Sequence, residues 1–171
     1  MENSALIKKK ICMLGAFAVG KTSLVQQFAY GLFSEKYHTT VGVRIEKKQV
    51  KVDDIELNFL IWDLHGEDDF QEVRASYLRG AAGCVYVVDG TRRETVKTVM
   101  DLHARMDSHY PNLPGVLLLN KRDQQTNWEL TGADRQQLAM LGCPVMEVSA
   151  KTADSVDEGF RALGQQILSV S

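Results

Sequence analysis

Cysteine and proline are scarce in this sequence, with three of each among 171 residues. The cysteines, Cys12, Cys84 and Cys143, are odd in number and far apart, which argues against a disulfide framework and is typical of a reducing compartment. No apolar run approaches the ~20 residues of a membrane-spanning helix. Neither sign of charge is in excess, since 20 Lys and Arg accompany 22 Asp and Glu, and this argues against a large nucleic-acid interface.

The composition is that of an ordinary globular protein, with 44% hydrophobic and 25% charged residues. A chain of this length is close to one domain and buries roughly 70% of its extended surface, so we expect a single domain over 1–171. Three lysines followed by the apolar stretch 11–19 imitate a secretory signal. The stretch is short, however, and continues into Gly20-Lys21-Thr22, which indicates another purpose.

Apolar runs alternate with amphipathic stretches along the chain. Short apolar strands separated by helices indicate a parallel sheet covered on both faces, and a turn at Asp53-Asp54 adds one antiparallel strand. We therefore predict an α/β fold with a six-stranded, mostly parallel sheet, in which ligands bind at the carboxyl ends of the strands. The predicted strands are 10–14, 43–52, 55–63, 84–89, 116–120 and 145–149, and the predicted helices are 21–30, 93–109, 134–141 and 156–168.

A glycine-rich motif, GAFAVGKT at 15–22, separates the first predicted strand from the first helix. It matches G-x-x-x-x-G-K-[ST] in the structural context that the motif requires. The N–H groups of such a loop and the positive end of the helix cradle phosphates. Lys21 is expected to reach the outer phosphates, and the Thr22 hydroxyl to bind Mg²⁺. The alternative is a chance glycine-rich turn.

The third predicted strand ends in WDLHG at 62–66. A carboxylate at this place, Asp63, can hold Mg²⁺ through water, and Gly66 can present its N–H to a terminal phosphate. Alone, D-x-x-G indicates no more than a turn. After a phosphate loop and at the end of a strand, it favours a nucleoside triphosphate site.

The fifth predicted strand ends in NKRD at 120–123, and the sixth ends in SAK at 149–151. A carboxylate such as Asp123 can accept hydrogen bonds from both N1–H and the N2 amino group of guanine, a donor pair that adenine lacks. The Lys121 stem can lie over the base, and N–H groups of the SAK segment can meet the guanine carbonyl. A solvated helix cap is the alternative interpretation of NKRD.

These elements in this order resemble the Ras superfamily of small GTPases, and especially its Rab-like branch. The segments GAFAVGKTS, TTVG, WDLHG, NKRD and SAK carry the resemblance, which covers about 7–168. It implies a P-loop NTPase G domain that binds GTP and GDP with Mg²⁺, hydrolyses GTP and acts as a molecular switch.

The resemblance also implies roles for individual residues. Mg²⁺ binding falls to Thr22, to Thr40 in switch I and, through water, to Asp63, while catalysis falls to Lys21, Thr40, Gly66 and Glu67. The residues implied in nucleotide binding are Ala18, Val19, Gly20, Lys21, Thr22, Ser23, Phe33 (which stacks on the guanine), Asn120, Lys121, Asp123, Ser149, Ala150 and Lys151.

Effectors, exchange factors and activating proteins are expected to bind through switch I, about 34–45, and switch II, about 63–79. No nucleic acid is expected. Ile45, Trp62 and Tyr77 fall where the Rab-like branch places a hydrophobic effector-binding triad. Ordinary core packing of these three side chains is the alternative.

The chain departs from the family pattern at Glu67, where glutamine usually orients the attacking water. An ionised glutamate cannot donate a hydrogen bond to a phosphate oxygen. At ~4 Å and an effective dielectric of ~20, a pair of like charges costs about 4 kcal/mol, which Lys21 and Mg²⁺ offset only in part. We therefore predict slow hydrolysis, with Glu67 as a working general base as the competing view.

Two further departures flank the same region. Phe17 occupies a slot that usually holds a small residue, so its ring either crowds the γ-phosphate and an activator's arginine or points outward. His65 is expected close to the γ-phosphate. One interpretation gives it a sensing or catalytic role, and the alternative is that it has no functional role.

The ends of the chain show no lipid-anchor motif, because no cysteine stands near the C-terminus and Glu2 excludes myristoylation. We therefore expect a cytoplasmic protein without membrane association, or a truncated chain, and a prokaryotic relative fits this pattern. A GTP-bound scaffold with negligible hydrolysis is the main alternative function. A P-loop ATPase or nucleotide kinase is a third, against which NKRD argues.

Overall fold

The computed structural model of the protein describes residues 7–34, 43–64 and 75–170. Thr40, His65, Gly66 and Glu67 therefore lie outside the described residues. The strands are β1 Ile7–Gly15, β2 Val43–Val52, β3 Ile55–Leu64, β4 Ala81–Asp89, β5 Gly115–Asn120 and β6 Val145–Glu147. The helices are α1 Lys21–Tyr30, α2 Ala75–Leu78, α3 Glu94–His109, α4 Gly132–Ala139 and α5 Val156–Ser169, with a 3₁₀ turn at Gln125–Asn127.

The six strands form one sheet in the order β2-β3-β1-β4-β5-β6. Only β2 and β3 pair in antiparallel fashion, and the other four pairings are parallel. The predicted α/β fold with a mostly parallel six-stranded sheet is confirmed. Because β1 lies centrally, the loop that follows it is at the middle of the carboxyl edge, where a ligand meets several strand ends.

The hairpin between β2 and β3 turns at Asp53 and Asp54, whose φ angles are 49° and 66°. Two consecutive left-handed residues are the signature of the tight turn whose twist matches paired strands, and aspartate tolerates this conformation better than most residues. The pairing Val52 with Ile55 closes directly around the turn. The predicted antiparallel strand is therefore explained by local turn chemistry.

Two hydrophobic layers cover the sheet. On one face, α1 and α5 pack over the odd-numbered side chains of β1 and β3, and the rings of Phe28 and Phe160 stack at 4.0 Å between centroids. On the other face, α2 and α3 cover a layer that includes Cys12 and Cys84. All six residues of β5 are buried, as expected for an inner strand covered on both sides.

Most predicted boundaries agree with the structure, and the differences have local causes. Helix α4 begins two residues earlier than predicted because the Thr131 side chain accepts from the Asp134 N–H while Asp134 accepts from the Thr131 N–H, a reciprocal cap. Strand β6 ends at Glu147 rather than 149, and the chain then leaves the sheet. In the described part of the chain, no helix has both the length and the apolarity to cross a membrane.

Candidate nucleotide-binding site

The glycine-rich loop lies between the end of β1 and the start of α1. Lys21 is only 6% exposed, and its ammonium group donates to the Gly15 carbonyl at 2.7 Å. Gly20 adopts φ 102°, and a Cβ there would lie 2.3 Å from Asn120 Nδ2. Only glycine satisfies both conditions, so the loop approaches β5 without an intervening side chain.

Asn120 joins three segments of the carboxyl edge. Its Nδ2 donates to the Val19 carbonyl at 3.0 Å, and its Oδ1 accepts from the Ala150 N–H at 3.1 Å. The side chain is buried, so these bonds are not in competition with water. The first half of the predicted site, the glycine-rich loop, is thus tied directly to NKRD and SAK.

The side chains that follow β5 and β6 are also connected. The Ser149 hydroxyl donates to Asp123 Oδ1 at 2.7 Å and accepts from the Thr152 N–H at 3.1 Å. Lys121 adopts φ 71°, which turns the chain sharply between Asn120 and Asp123. The two predicted base-contacting segments, NKRD and SAK, therefore lie side by side at one end of the sheet.

A hydroxyl and a carboxylate meet beneath the loop. Thr22 Oγ1 donates to Asp63 Oδ2 at 2.5 Å, and Asp63 is 2% exposed. Burial raises the pKa of Asp63 above its ordinary value of 3.8, while the Thr22 hydrogen bond and the Lys21 charge act in the lowering direction. The buried Oδ1 atom of Asp63 has no hydrogen-bond partner among the described residues.

An orphaned, buried carboxylate oxygen beside a threonine hydroxyl has the hard oxygen chemistry that Mg²⁺ prefers. Thr22 and Asp63 therefore fit the predicted ion, with Asp63 able to act through a water. Within residues 7–34, 43–64 and 75–170, no three His, Cys, Asp or Glu side chains group into a metal site. Beside phosphates, Mg²⁺ commonly relies on few protein ligands.

A comparison with known protein families supports the same interpretation. The family model described as Ras family matches residues 10–169. The chain belongs to the Ras family. Proteins of this family are GTP-binding molecular switches with GTPase activity, they bind GTP and GDP with Mg²⁺, and they interact with effectors, exchange factors and activating proteins.

Other residues predicted from the Ras-type motifs differ in exposure. Ser23 is partly buried, Lys151 is exposed, and Phe33 is 38% exposed near the end of the first described segment, 7–34. The Phe17 ring is 36% exposed, so the loop carries part of this large side chain outward. The predicted switch residues Thr40, Gly66 and Glu67, together with His65, lie outside the described residues.

The three residues predicted to form a Rab-type triad do not share one environment. Ile45 is 48% exposed on β2, whereas Tyr77 is 3% exposed and its hydroxyl donates to the Trp62 carbonyl at 2.5 Å. Trp62 is partly buried, with Lys10 Nζ 3.6 Å from its ring centroid. Core packing, the alternative interpretation, therefore describes Tyr77, and Ile45 remains available on the surface.

Sequence reasoning missed Asp89 and Arg92, at and just after the end of β4. Asp89 is fully buried, and its Oδ2 lies 2.7 Å from Lys121 Nζ. Arg92 donates two hydrogen bonds to the Phe17 carbonyl, at 3.0 and 2.9 Å. The only available signal was a charged residue ending an otherwise apolar strand, CVYVVD at 84–89, at the edge where ligands bind.

Proposed function

We propose that the protein is a guanine-nucleotide switch, formed by a single G domain over 1–171, that binds GTP and GDP with Mg²⁺ and hydrolyses GTP slowly. The observation that carries this proposal is the pair of hydrogen bonds made by Asn120 to Val19 and Ala150. These bonds connect the glycine-rich loop, which is expected to bind phosphates, to the SAK segment, which is expected to bind the base. The two segments are therefore only one side chain apart. One ligand with phosphates at one end and a base at the other suits this arrangement.

Phosphate binding falls to the loop amides of residues 18–23 and to Lys21. Lys21 is buried beside the loop, and its ammonium group donates to the Gly15 carbonyl, so its charge lies next to the loop amides. A helix N-terminus adds partial positive charge at the same place, because α1 begins at Lys21. Ser23 and Thr22 extend the set of donors into the first turn.

Guanine selection falls to Asp123, with Lys121 along the base, Phe33 stacked on it, and the Lys151 N–H toward its carbonyl. The Ala150 N–H donates to Asn120 Oδ1 and so supports the base-binding loop instead of contacting the base. The Ser149 hydroxyl supports this assignment because it holds one oxygen of Asp123 at 2.7 Å and so fixes the carboxylate plane. A fixed acceptor pair discriminates strongly, since adenine leaves it unpaired.

Mg²⁺ binding falls to Thr22, to Thr40 and, through water, to Asp63. The bound ion neutralises negative charge on the phosphates. Asp63 contributes a buried carboxylate whose ionisation is unfavourable without a cation, and Thr22 holds that carboxylate toward α1. This coupling predicts that nucleotide affinity depends on Mg²⁺ through Asp63.

In the proposed reaction, a water oxygen forms a bond to the γ-phosphorus while the bond from that phosphorus to the β–γ bridging oxygen breaks. GDP leaves with the electron pair, and the proton of the water passes to phosphate. Lys21 stabilises the developing charge, Thr40 and Gly66 contact the γ-phosphate region, and Glu67 occupies the water-positioning place. An ionised Glu67 accepts but does not donate hydrogen bonds, which supports a slow rate.

Partners are proposed to bind through switch I, about 34–45, and switch II, about 63–79, without involvement of nucleic acid. The exposed Ile45 on the outer strand supports a Rab-like effector surface, with Trp62 beside it. Three free thiols, Cys12, Cys84 and Cys143, support a reducing compartment such as the cytoplasm.

A scaffold that binds GTP with negligible hydrolysis is the second candidate, favoured by Glu67 and by the large Phe17 ring in the loop. One experiment addresses both functions: the protein is purified, denatured, and the released nucleotide is identified. GTP or GDP in about one equivalent supports the switch or the scaffold. Single-turnover phosphate release with Mg²⁺, alone and with candidate activators, then separates them, and an adenosine nucleotide or none contradicts both.

A further inference from the structure

A buried carboxylate behind the glycine-rich loop pairs with two cations. Asp89 ends β4 and is 0% exposed. Its Oδ1 accepts from the Thr91 N–H at 2.8 Å and from the Thr91 hydroxyl at 2.6 Å. Its Oδ2 lies 2.7 Å from Lys121 Nζ and 3.8 Å from Arg92 Nε. Thr91 therefore hydrogen-bonds one carboxylate oxygen, and the two cations interact with the other.

The two cations hold consecutive carbonyls of the loop. The Arg92 guanidinium donates twice to the Phe17 carbonyl, at 3.0 and 2.9 Å. Lys121 Nζ donates to the Ala18 carbonyl at 3.5 Å. Two positive charges this close repel each other unless an anion lies between them, and Asp89 supplies that anion. The Asp89 cluster, meaning Asp89, Arg92 and Lys121, therefore acts as one unit on the loop.

The direction of a carbonyl fixes the direction of the next amide. In a planar trans peptide, the C=O of one residue and the N–H of the next point opposite ways. Holding the Phe17 and Ala18 carbonyls toward the cluster therefore turns the N–H groups of Ala18 and Val19 away from it. Ala18 has φ 61°, a left-handed conformation that a non-glycine residue keeps only where its surroundings hold it.

We propose that Asp89 and Arg92 are positioning residues that hold the Phe17 and Ala18 carbonyls outward, so that the Ala18 and Val19 amides are presented to the β-phosphate of the nucleotide. This inference rests on the proposed function and adds two residues to it. Neither residue touches the nucleotide. Arg92 thus strengthens the preference for a nucleoside diphosphate over a monophosphate, whereas Asp123 determines the preference for guanine.

The test compares GDP with GMP, which lacks the β-phosphate. Nucleotide-free wild type and Arg92→Ala are titrated with each nucleotide by calorimetry at fixed Mg²⁺. We expect the GDP affinity of Arg92→Ala to fall roughly tenfold, the effect of misplacing about one charge-assisted contact, while GMP affinity changes less than twofold. Arg92→Lys keeps the positive charge but loses the pair of guanidinium donors. It should therefore restore the ratio of GDP to GMP affinity only in part.

Arg93→Ala is the matched control, because Arg93 is the next residue and pairs with Asp134 at 3.2 Å instead of the loop. It should leave the ratio of GDP to GMP affinity as in wild type. Asp89→Asn should lower the ratio as Arg92→Ala does. Because a buried substitution can unfold the chain, the ³¹P shift of bound β-phosphate in Arg92→Ala provides a second readout, which should move while the α-phosphate signal stays.

Three outcomes overturn the inference: an unchanged ratio in Arg92→Ala, an equal loss for GDP and GMP, or the same loss in Arg93→Ala. Each leaves the proposed function intact, because the wild type still binds guanine nucleotides. A wild type that binds neither GDP nor GMP contradicts the proposed function first and removes the basis of the inference with it.

Discussion

The hydroxyl of Thr22 donates to the carboxylate of Asp63 at 2.5 Å, which ties the first turn of α1 to the end of β3. The two residues are 41 positions apart in sequence, so the contact exists only in the folded chain. It satisfies one oxygen of Asp63, and the other oxygen is buried and has no hydrogen bond within the part of the chain that the structure describes. A folded protein keeps such a group when a ligand uses it, because the unpaired oxygen destabilises the free state.

Substitution Asp63→Asn should remove the effect of Mg²⁺ on GDP affinity, because the amide carries no charge to attract the ion. We expect wild-type GDP affinity to fall by a factor of about 10 or more when EDTA replaces Mg²⁺, and that of Asp63→Asn to change less than threefold. Calorimetric titration measures both. Asp157→Asn, on the first turn of α5, is the control and should behave as wild type. An Asp63→Asn protein that still responds fully to Mg²⁺ contradicts the assignment.

The stability of the nucleotide-free protein should depend on pH through the same carboxyl. Because burial raises the pKa of Asp63, the folded chain keeps this proton over a pH range in which the unfolded chain has released it. The related stability is fully present below 3.8, the ordinary value, and is lost as pH rises through the folded-state pKa. Asp63→Asn should therefore melt above wild type at pH 7, and the difference should shrink towards pH 4. If the difference in melting temperature between Asp63→Asn and wild type were the same at pH 4 and pH 7, the Asp63 carboxyl would not be the source of the pH dependence.

Asp123→Asn should move base preference from guanine to xanthine. The amide cannot accept from both N1–H and N2, but its NH₂ can donate to the second carbonyl of xanthine. We expect GTP affinity to fall about 100-fold or more and xanthosine triphosphate to compete better than GTP. Competition against a fluorescent guanine nucleotide reports this. Asp154→Asn, a half-exposed acid that pairs with Arg122, should leave the preference for guanine as it is.

Glu67→Gln should hydrolyse GTP faster than wild type in a single-turnover assay. Glutamine can accept from water and donate to a phosphate oxygen, and it removes a negative charge beside the γ-phosphate. We expect a rise of roughly tenfold, since the orienting residue acts in the transition state. Glu158→Gln removes an equal charge from the first turn of α5, outside the motifs assigned to the nucleotide, and should not change the rate. A Glu67→Gln rate equal to or below that of wild type would favour Glu67 as a working base.

Thr131→Ala should weaken the start of α4 without affecting nucleotide binding. The substitution removes the hydroxyl that accepts from the Asp134 N–H at 3.3 Å and leaves that donor unsatisfied. Loss of such a cap costs about 1 kcal/mol, or roughly 3 °C in Tm for a chain of this size. Thermal unfolding measures it, with the exposed Thr126→Ala as a neutral control. An equal Tm for both variants would show that the cap contributes little.

The sequence predicted the sheet because its strands are short, apolar and separated by amphipathic helices, which leaves few alternative topologies. It also placed the loop, NKRD and SAK at one edge, since parallel strands share their carboxyl ends. Helix α2 was missed because four residues are too few for a helical period. Strand β1 was predicted short because Lys8 and Lys9 are polar, although they pair with Asn58 and Phe59 of β3.

Contacts between distant residues could not be predicted from the sequence alone. Arg92 and Phe17 are 75 positions apart, and nothing in either segment indicates that a guanidinium reaches that carbonyl. The burial of Tyr77 depends in the same way on the Met13 and Trp62 carbonyls, which accept its hydrogen bond only once β1 and β3 are paired. Motifs fix the chemistry that a chain can offer, while packing decides which atoms meet.

Strand β2 is the outermost strand along one side of the sheet, over ten residues. An edge of this length invites a neighbouring molecule to add its own strand, the first step of aggregation. The exposed Lys47 and Lys51 lie along that edge, so two copies approaching edge to edge would bring lysines against lysines. Repulsion between these lysines thus opposes edge-to-edge pairing of two copies. Because salt screens this repulsion, the tendency of the protein to aggregate should rise with ionic strength.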